Sequence, residues 1–509
     1  MARVYSNRLS EYTHENGGRV LLLFLLFLLA LYELGTVGFP AFAIVCTIPL
    51  IVLFIYVVFR WRMMAFWLLI TINYFLAMKD ISLPIPASLP NELIELLLLA
   101  VAIIDARQTP HFERACNMML FALVIWSGLC LVEIFNDTCN LGINLNAWYV
   151  GFRLFAQQLL FILLVFSLYI STPQNLMTYL KIWALFCLFS ALWTWKQEYI
   201  GFTDAEKLWI ETRGRSTHIL NAGTLIRYFS TFDNAASYGC HAAAAATAFI
   251  IFGITIKFKK ARYFFFIISA AVIWGMFQSG TRTAIYCLAA GLIVYIFLSK
   301  SIKIAVPFSI VVAIMGFLLV FTTIGNSNQQ IRRMRSAFNK DDASANVRDI
   351  NKEAIRKYIK DAPWGIGLGM GSENVPANNK YNKLSSIPPD SEYVYIWVHT
   401  GPIGVSIFTI CMILIFTGGC QVVLFRLKSK SLAGIGAGLC CAFVAINLGG
   451  YANQVLYGFP NGVTFFGGMA IVYILPFIEP EWNKYEEKKL AEQEEKKRLK
   501  LEKKLASRV

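Results

Sequence analysis

Three arginines, Arg213, Arg215 and Arg227, fall within ETRGRSTHILNAGTLIRYFSTFDNAASYG, Glu211 to Gly239, a polar segment between two long apolar runs. A fourth, Arg282, occupies a very short turn in FQSGTRTAIYCLAAGLIV, again between apolar runs. A guanidinium stays charged at physiological pH and binds phosphate oxygens in pairs, so these side chains suit an anionic ligand. Arg282 can also be read as an arginine snorkelling to phospholipid headgroups. Two carboxylates, Asp390 and Glu392, stand in SSIPPDSEYVYIWVHTGPIGV, where the chain returns to an apolar run. They read either as interfacial anchors and partners of nearby arginines, or as a general base facing an acceptor hydroxyl. His218 reads as an ordinary loop residue.

The elements that hold these residues are membrane spans. Of 509 residues, 57% are hydrophobic, 15% aromatic and 15% charged, far more apolar than a soluble domain requires. Apolar segments near the bilayer-spanning length recur along nearly the whole chain. The expected fold is an all-α polytopic membrane protein with about twelve to fourteen transmembrane helices and two long external loops. The formal charge of +15 sits mainly in short connections and tails, which is a topology signal and gives no case for nucleic acid. The eleven cysteines lie mostly inside apolar runs, as packing residues.

A cytoplasmic amino terminus puts RWR at 60–62, Arg107, Arg114, KFKKAR at 257–262, SKSIK at 299–303 and RLKSKS at 426–431 on one side. The other short connections are nearly free of Lys and Arg, which is the positive-inside pattern. The expected organisation has a cytoplasmic segment at 1–18, transmembrane helices at 19–196, an Arg-rich external loop at 197–236 and central helices at 237–324. A large external loop at 325–401, transmembrane helices at 402–478 and a cytoplasmic charged helical tail at 479–509 complete it. The first apolar run, from Val20, reads as a retained helix that also directs insertion. The tail reads as a solvated helix near the inner membrane surface.

The large loop has its own pattern. From Ser344, the residues Val347, Ile350, Ile355, Tyr358 and Ile359 fall on roughly one helical face, and Pro363 ends the run. An amphipathic helix of this kind can lie on the outer leaflet or on the transmembrane bundle. The GIGLGMGS that follows is no dinucleotide-binding turn, because such a turn must leave a strand and open a helix within a soluble βαβ unit, and here an external helix precedes it. Gly365, Gly367, Gly369 and Gly371 instead predict a tight backbone turn close to a substrate or to another helix. The DD pair at 341–342 is isolated, and no metal site is expected.

The run SGTRTAIYCLAAGLIV, the loop VRDINKEAIRKYIKDAPWGIGLGMGS and the return DSEYVYIWVHTGPIG together resemble the O-antigen ligase and polymerase superfamily, over about Asn221 to Gly404. The resemblance implies a glycosyltransferase that needs no cofactor, uses a polyprenyl-diphosphate-linked glycan as donor and works on the periplasmic face of the bacterial inner membrane, with both termini cytoplasmic. The implied acceptor is a hydroxyl of another glycan, of a lipid A core or of a protein, and membrane lipid surrounds the enzyme. Arg227 occupies the place of the family's external-loop arginine, and Arg282 matches that of the short turn. Ligases of the family carry a His near the end of the large loop, where this chain reads PPDSEY; Asp390 stands in for it, and His399 lies too far on.

On that reading Arg227 and Arg282, helped by Arg213 or Arg215, clamp the diphosphate and stabilise charge on the leaving group. Asp390, or else Glu392, deprotonates the acceptor for an inverting, metal-independent displacement. Arg348, Gly367 and Gly369 are further candidates for substrate contact. The alternative from another class is a lipid-linked oligosaccharide flippase, which would show two related halves and charges lining a central cavity.

Overall fold

The computed structural model describes residues 17–36, 38–81, 89–104, 111–220, 223, 225–299, 301–327, 329–335, 343–387 and 390–506. The acidic pair at 341–342 and the prolines at 388–389 lie outside these residues, as does the side chain of Arg348. The chain divides into two units, Met1–Trp67 and Leu68–Val509. In the first, helices Gly17–Thr36 and Phe39–Arg60 pack on one another. Leu21, Leu22, Phe24, Phe27 and Tyr32 of this unit are exposed, as side chains meant for lipid would be.

Hydropathy translates directly into helices. Among the described residues, nine helices are long and apolar enough to cross a membrane, and a bent pair, Pro49–Arg60 with Arg62–Phe75, makes ten if counted as one span. The protein is an all-α, multi-pass membrane protein. Two further apolar helices are short, with 16 residues in Leu89–Ile104 and 17 in Arg282–Leu298. At 1.5 Å per residue each covers about 25 Å, less than the hydrocarbon core.

The second unit is centred on Ala235–Thr255, which packs against Lys259–Gln278, Arg282–Leu298 and Lys430–Ala452. Its AASYGCHAAAAATA start, nearly all small residues, lets those neighbours approach closely. Polar groups buried there are paired. His241 Nδ1 meets Asn461 Oδ1 at 2.7 Å, Trp183 Nε1 donates to His241 Nε2 at 3.3 Å, and Asn461 Nδ2 donates to Ser237 Oγ at 3.1 Å. Without such partners each group would cost several kcal/mol in hydrocarbon.

The last helix runs unbroken from Asn461 to Ala506 through Pro476 and Pro480, 46 residues or about 69 Å. The charged helix expected from 479 continues the spanning helix without a break, and its first turns dock on the bundle. Trp482 Nε1 donates to Ser431 Oγ at 3.0 Å, and Lys257 pairs with Glu486 at 2.7 Å.

The large loop is a folded cap. Ile355 and Ile359 of helix Ala343–Ile359 enter a buried cluster with Ala362, Ile366, Tyr381 and Val398, so this helix lies on protein. Ile350, expected on the same face, is exposed, because five residues at 100° each carry it well away from Ile355. The glycine turn crosses a break in helix Glu392–Gln421, where Gly401 has φ 68°. Gly365 has φ 75°; a Cβ there would strike the His399 carbonyl, and a Cβ at Gly401 would strike the Pro363 oxygen. Gly365→Ala therefore combines left-handed strain with a backbone clash and is expected to cost roughly 2–4 kcal/mol. Thermal unfolding of the purified variant measures this, and an unchanged midpoint would exclude the crossing.

Candidate functional site

The loop after helix Pro173–Tyr199 is built from the residue types its turns need. Thr203 and Glu206 form a reciprocal capping box for Asp204–Trp209, and Ile219–Leu220 pairs antiparallel with Leu225–Ile226. This small hairpin delivers Arg227. Its backbone N–H donates to His218 O at 2.8 Å, and its guanidinium donates to Thr217 O at 2.9 Å, Thr281 Oγ1 at 3.0 Å and Ser279 O at 3.3 Å. Arg227 is thus fastened to the Ser279–Thr281 turn, and Arg282 is the next residue, first in helix Arg282–Leu298.

A third arginine reaches the same turn. Arg333, in the short helix Gln329–Arg335, donates from Nε to Gly280 O at 2.7 Å. Burial, and then the charge of nearby Arg282, lower its guanidinium to about 10. Three guanidinium groups therefore converge on Ser279–Arg282, at the start of a helix whose N-cap, Thr281, makes no side-chain capping bond. Cations and uncapped amides together favour an anion. Arg333 was missed in the sequence because QQIRRMR reads as a polar link after a span, and nothing in its spacing says which turn it will meet. Arg213 and Arg215 are exposed on the loop helix, and no bond among the described residues joins them to this cluster.

His218 holds the loop. It is buried, accepts from Ala235 N–H at 3.1 Å through Nε2, and packs edge-on against Trp209 and Phe229. Burial, and secondarily the Arg227 charge, lower its imidazole to about 4. The sign follows from linkage: the unfolded loop binds a proton near pH 6.5 and the folded loop does so only near 4. The neutral ring's contribution is complete above pH 6.5 and falls by about 1.4 kcal/mol per pH unit between those values. Limited proteolysis within 203–234 is expected to be faster at pH 5 than at pH 7.5; equal rates would contradict a buried neutral imidazole.

The second group of candidate residues surrounds Asp390. Asn351 Nδ2 donates to Asp390 Oδ2 at 3.0 Å, and both line a cavity of about 90 Å³ with Lys352, Ser391, Val394 and Tyr451. Lys352 lies over the Tyr451 ring at 5.6 Å. Asn351 and Lys352 sit one turn before Ile355, on the polar border of the amphipathic helix; its helical phase is the sequence signal that would have found them. Glu392, next to Asp390, is buried and accepts from the Leu456 N–H at 3.1 Å, which ties the start of its helix to the 455–457 segment.

The two groups adjoin. Asn453 Nδ2 donates to Thr283 Oγ1 at 3.1 Å, so the residue that follows the Tyr451–Ala452 wall of that cavity is bonded to the residue after Arg282. Helix Arg282–Leu298 also packs along Lys430–Ala452. Gly367 and Gly369 are engaged elsewhere: Gly367 N–H donates to His399 O at 3.0 Å, and a Cβ on Gly369 would enter the Ala147 carbonyl. His399 bonds Gly367 O at 2.8 Å through Nδ1 and lies tilted against the Tyr395 ring, as a core residue. Among the described residues, no group of three or more His, Cys, Asp or Glu side chains is placed to share a metal ion.

Residues 265–409 match the family model described as O-antigen ligase. The match spans the Arg282 turn, Arg333, the amphipathic helix, the glycine turn and Asp390, and leaves Arg227 outside. No curated protein gives a match to the chain. Over these residues the chain is similar to the O-antigen ligase family.

Proposed function

We propose that the protein transfers a glycan from a polyprenyl-diphosphate carrier to an acceptor hydroxyl at the periplasmic face of the bacterial inner membrane, as a ligase or a polymerase. The observation that supports this reading is the Asn453–Thr283 bond, which links the first turn of the helix that Arg282 opens to the chain beside the Asp390 cavity. Arg282 and Arg227, with Arg333, bind the donor diphosphate. Their charge stabilises the oxygen that gains the electron pair as the sugar C1–O bond breaks. The acceptor oxygen attacks C1 from the opposite side and its proton passes to Asp390, giving inversion and free polyprenyl diphosphate. We assign the base to Asp390 rather than Glu392, because Glu392 already accepts a backbone bond in a buried position. Arg213 and Arg215 act only in drawing the anionic donor to the loop.

The test is reconstitution in proteoliposomes with a labelled polyprenyl-diphosphate glycan and candidate acceptors. New glycosidic bonds are expected, as a ladder for a polymerase or as one transfer of a complete chain for a ligase. Movement of the labelled lipid across the bilayer without new bonds would overturn the proposal in favour of a flippase.

A further inference from the structure

We infer that the end of the bundle opposite the arginine turn carries a built site for the headgroup of an anionic phospholipid. A cavity of about 390 Å³ opens there between helix Pro173–Tyr199, the start of Lys259–Gln278 and the docked part of the last helix. Four lysines line it: Lys181, Lys260, Lys489 and Lys496. Its single carboxylate, Glu492, is held by Lys489 at 2.9 Å, so positive charge dominates the cavity. The volume falls within the range of small-molecule sites.

Position and wall chemistry select a lipid. Lys260 lies in the first turn of Lys259–Gln278, and the far end of that 20-residue helix leads into the Ser279–Arg282 turn. At 1.5 Å per residue the two sites stand about 30 Å apart along the helix, one hydrocarbon thickness, and so face opposite leaflets. Phe258, Phe264 and Tyr485 provide an apolar wall. Beyond it, Tyr263 and Ile267 of the same helix are exposed, giving acyl chains a surface that continues from the lysines. A soluble anion has no use for that surface, whereas a phospholipid fills both parts, and basic pockets between helices near a leaflet surface are suited to such headgroups. The tail helix is one wall of the cavity, so its docking through Trp482 and Glu486 is what completes the site.

The experiment uses the full chain in non-ionic detergent, titrated with phosphatidylglycerol or with phosphatidylcholine of the same acyl chains. Readouts are the thermal midpoint and lipid retention in native mass spectrometry. Phosphatidylglycerol is expected to raise the midpoint and remain bound, and phosphatidylcholine to do neither. Lys181→Gln combined with Lys260→Gln is expected to weaken the phosphatidylglycerol response by roughly tenfold or more, and Glu492→Gln to strengthen it. Equal responses to the two lipids, an undiminished response in the lysine variant, or the same stabilisation by inorganic phosphate alone would each overturn the inference.

Discussion

Arg282→Ala is expected to lower glycan transfer by about 10²- to 10³-fold, the loss typical of removing one preorganised charge from a developing anion. Arg282 opens its helix directly after the turn that receives Arg227 and Arg333, so its removal takes a cation from the centre of the cluster. Arg282→Lys keeps the charge but loses the planar fork, and is expected to fall between wild type and alanine. Arg227→Ala is a less clean test. Arg227 also ties Thr217 to Ser279 and Thr281, so part of its loss would come from a loosened loop. Initial rates of transfer in proteoliposomes, beside thermal midpoints, separate the two contributions, and wild-type transfer by a folded Arg282→Ala protein would remove the arginine from the mechanism.

Asp390→Asn is expected to lower the rate of transfer by about 10²- to 10⁴-fold while leaving donor binding near wild type. The amide keeps the size of the side chain, and its oxygen can still accept from Asn351, so the cavity is expected to survive. What disappears is the ability to take a proton from the acceptor. The loss should therefore appear in kcat, with the KM for donor little changed. A loss confined to KM would make Asp390 a binding residue.

The membrane fold was legible because its rule is simple: apolar runs near 20 residues become helices, and from Pro173 to Phe321 the helix bounds follow the hydropathy closely, whereas the helices that start at Leu145 and Glu392 begin well before their apolar runs. The tight turn at Gly365 was legible for a similar reason, since repeated glycines announce positive φ. That it crosses Gly401 was not, because the crossing depends on which backbone lies opposite. The parts of the candidate site stand out in the sequence, but their juxtaposition does not. Arg282 and Asp390 stand out as polar residues at the edges of apolar runs, but the Asn453–Thr283 bond joins residues 170 positions apart. No local pattern predicts a bond between two helix ends. Arg333 illustrates the same limit, because a basic link after a span becomes part of a site only through the turn it touches. The tail is helical and mostly exposed, as its Glu and Lys spacing suggests; what the spacing does not show is that Trp482 and Glu486 are buried against Ser431 and Lys257.

We propose that the arginine turn and the Asp390 cavity form one glycosyl-transfer site. The most direct test of this proposal is single-turnover formation of the new glycosidic bond in proteoliposomes by wild type, Arg282→Ala, Asp390→Asn and the double variant. Each single variant is expected to be slowed at least about 100-fold and the double variant to be far less impaired than the product of the two losses, as for groups acting in one transition state. Full transfer by either folded single variant, or losses that simply multiply, would contradict it.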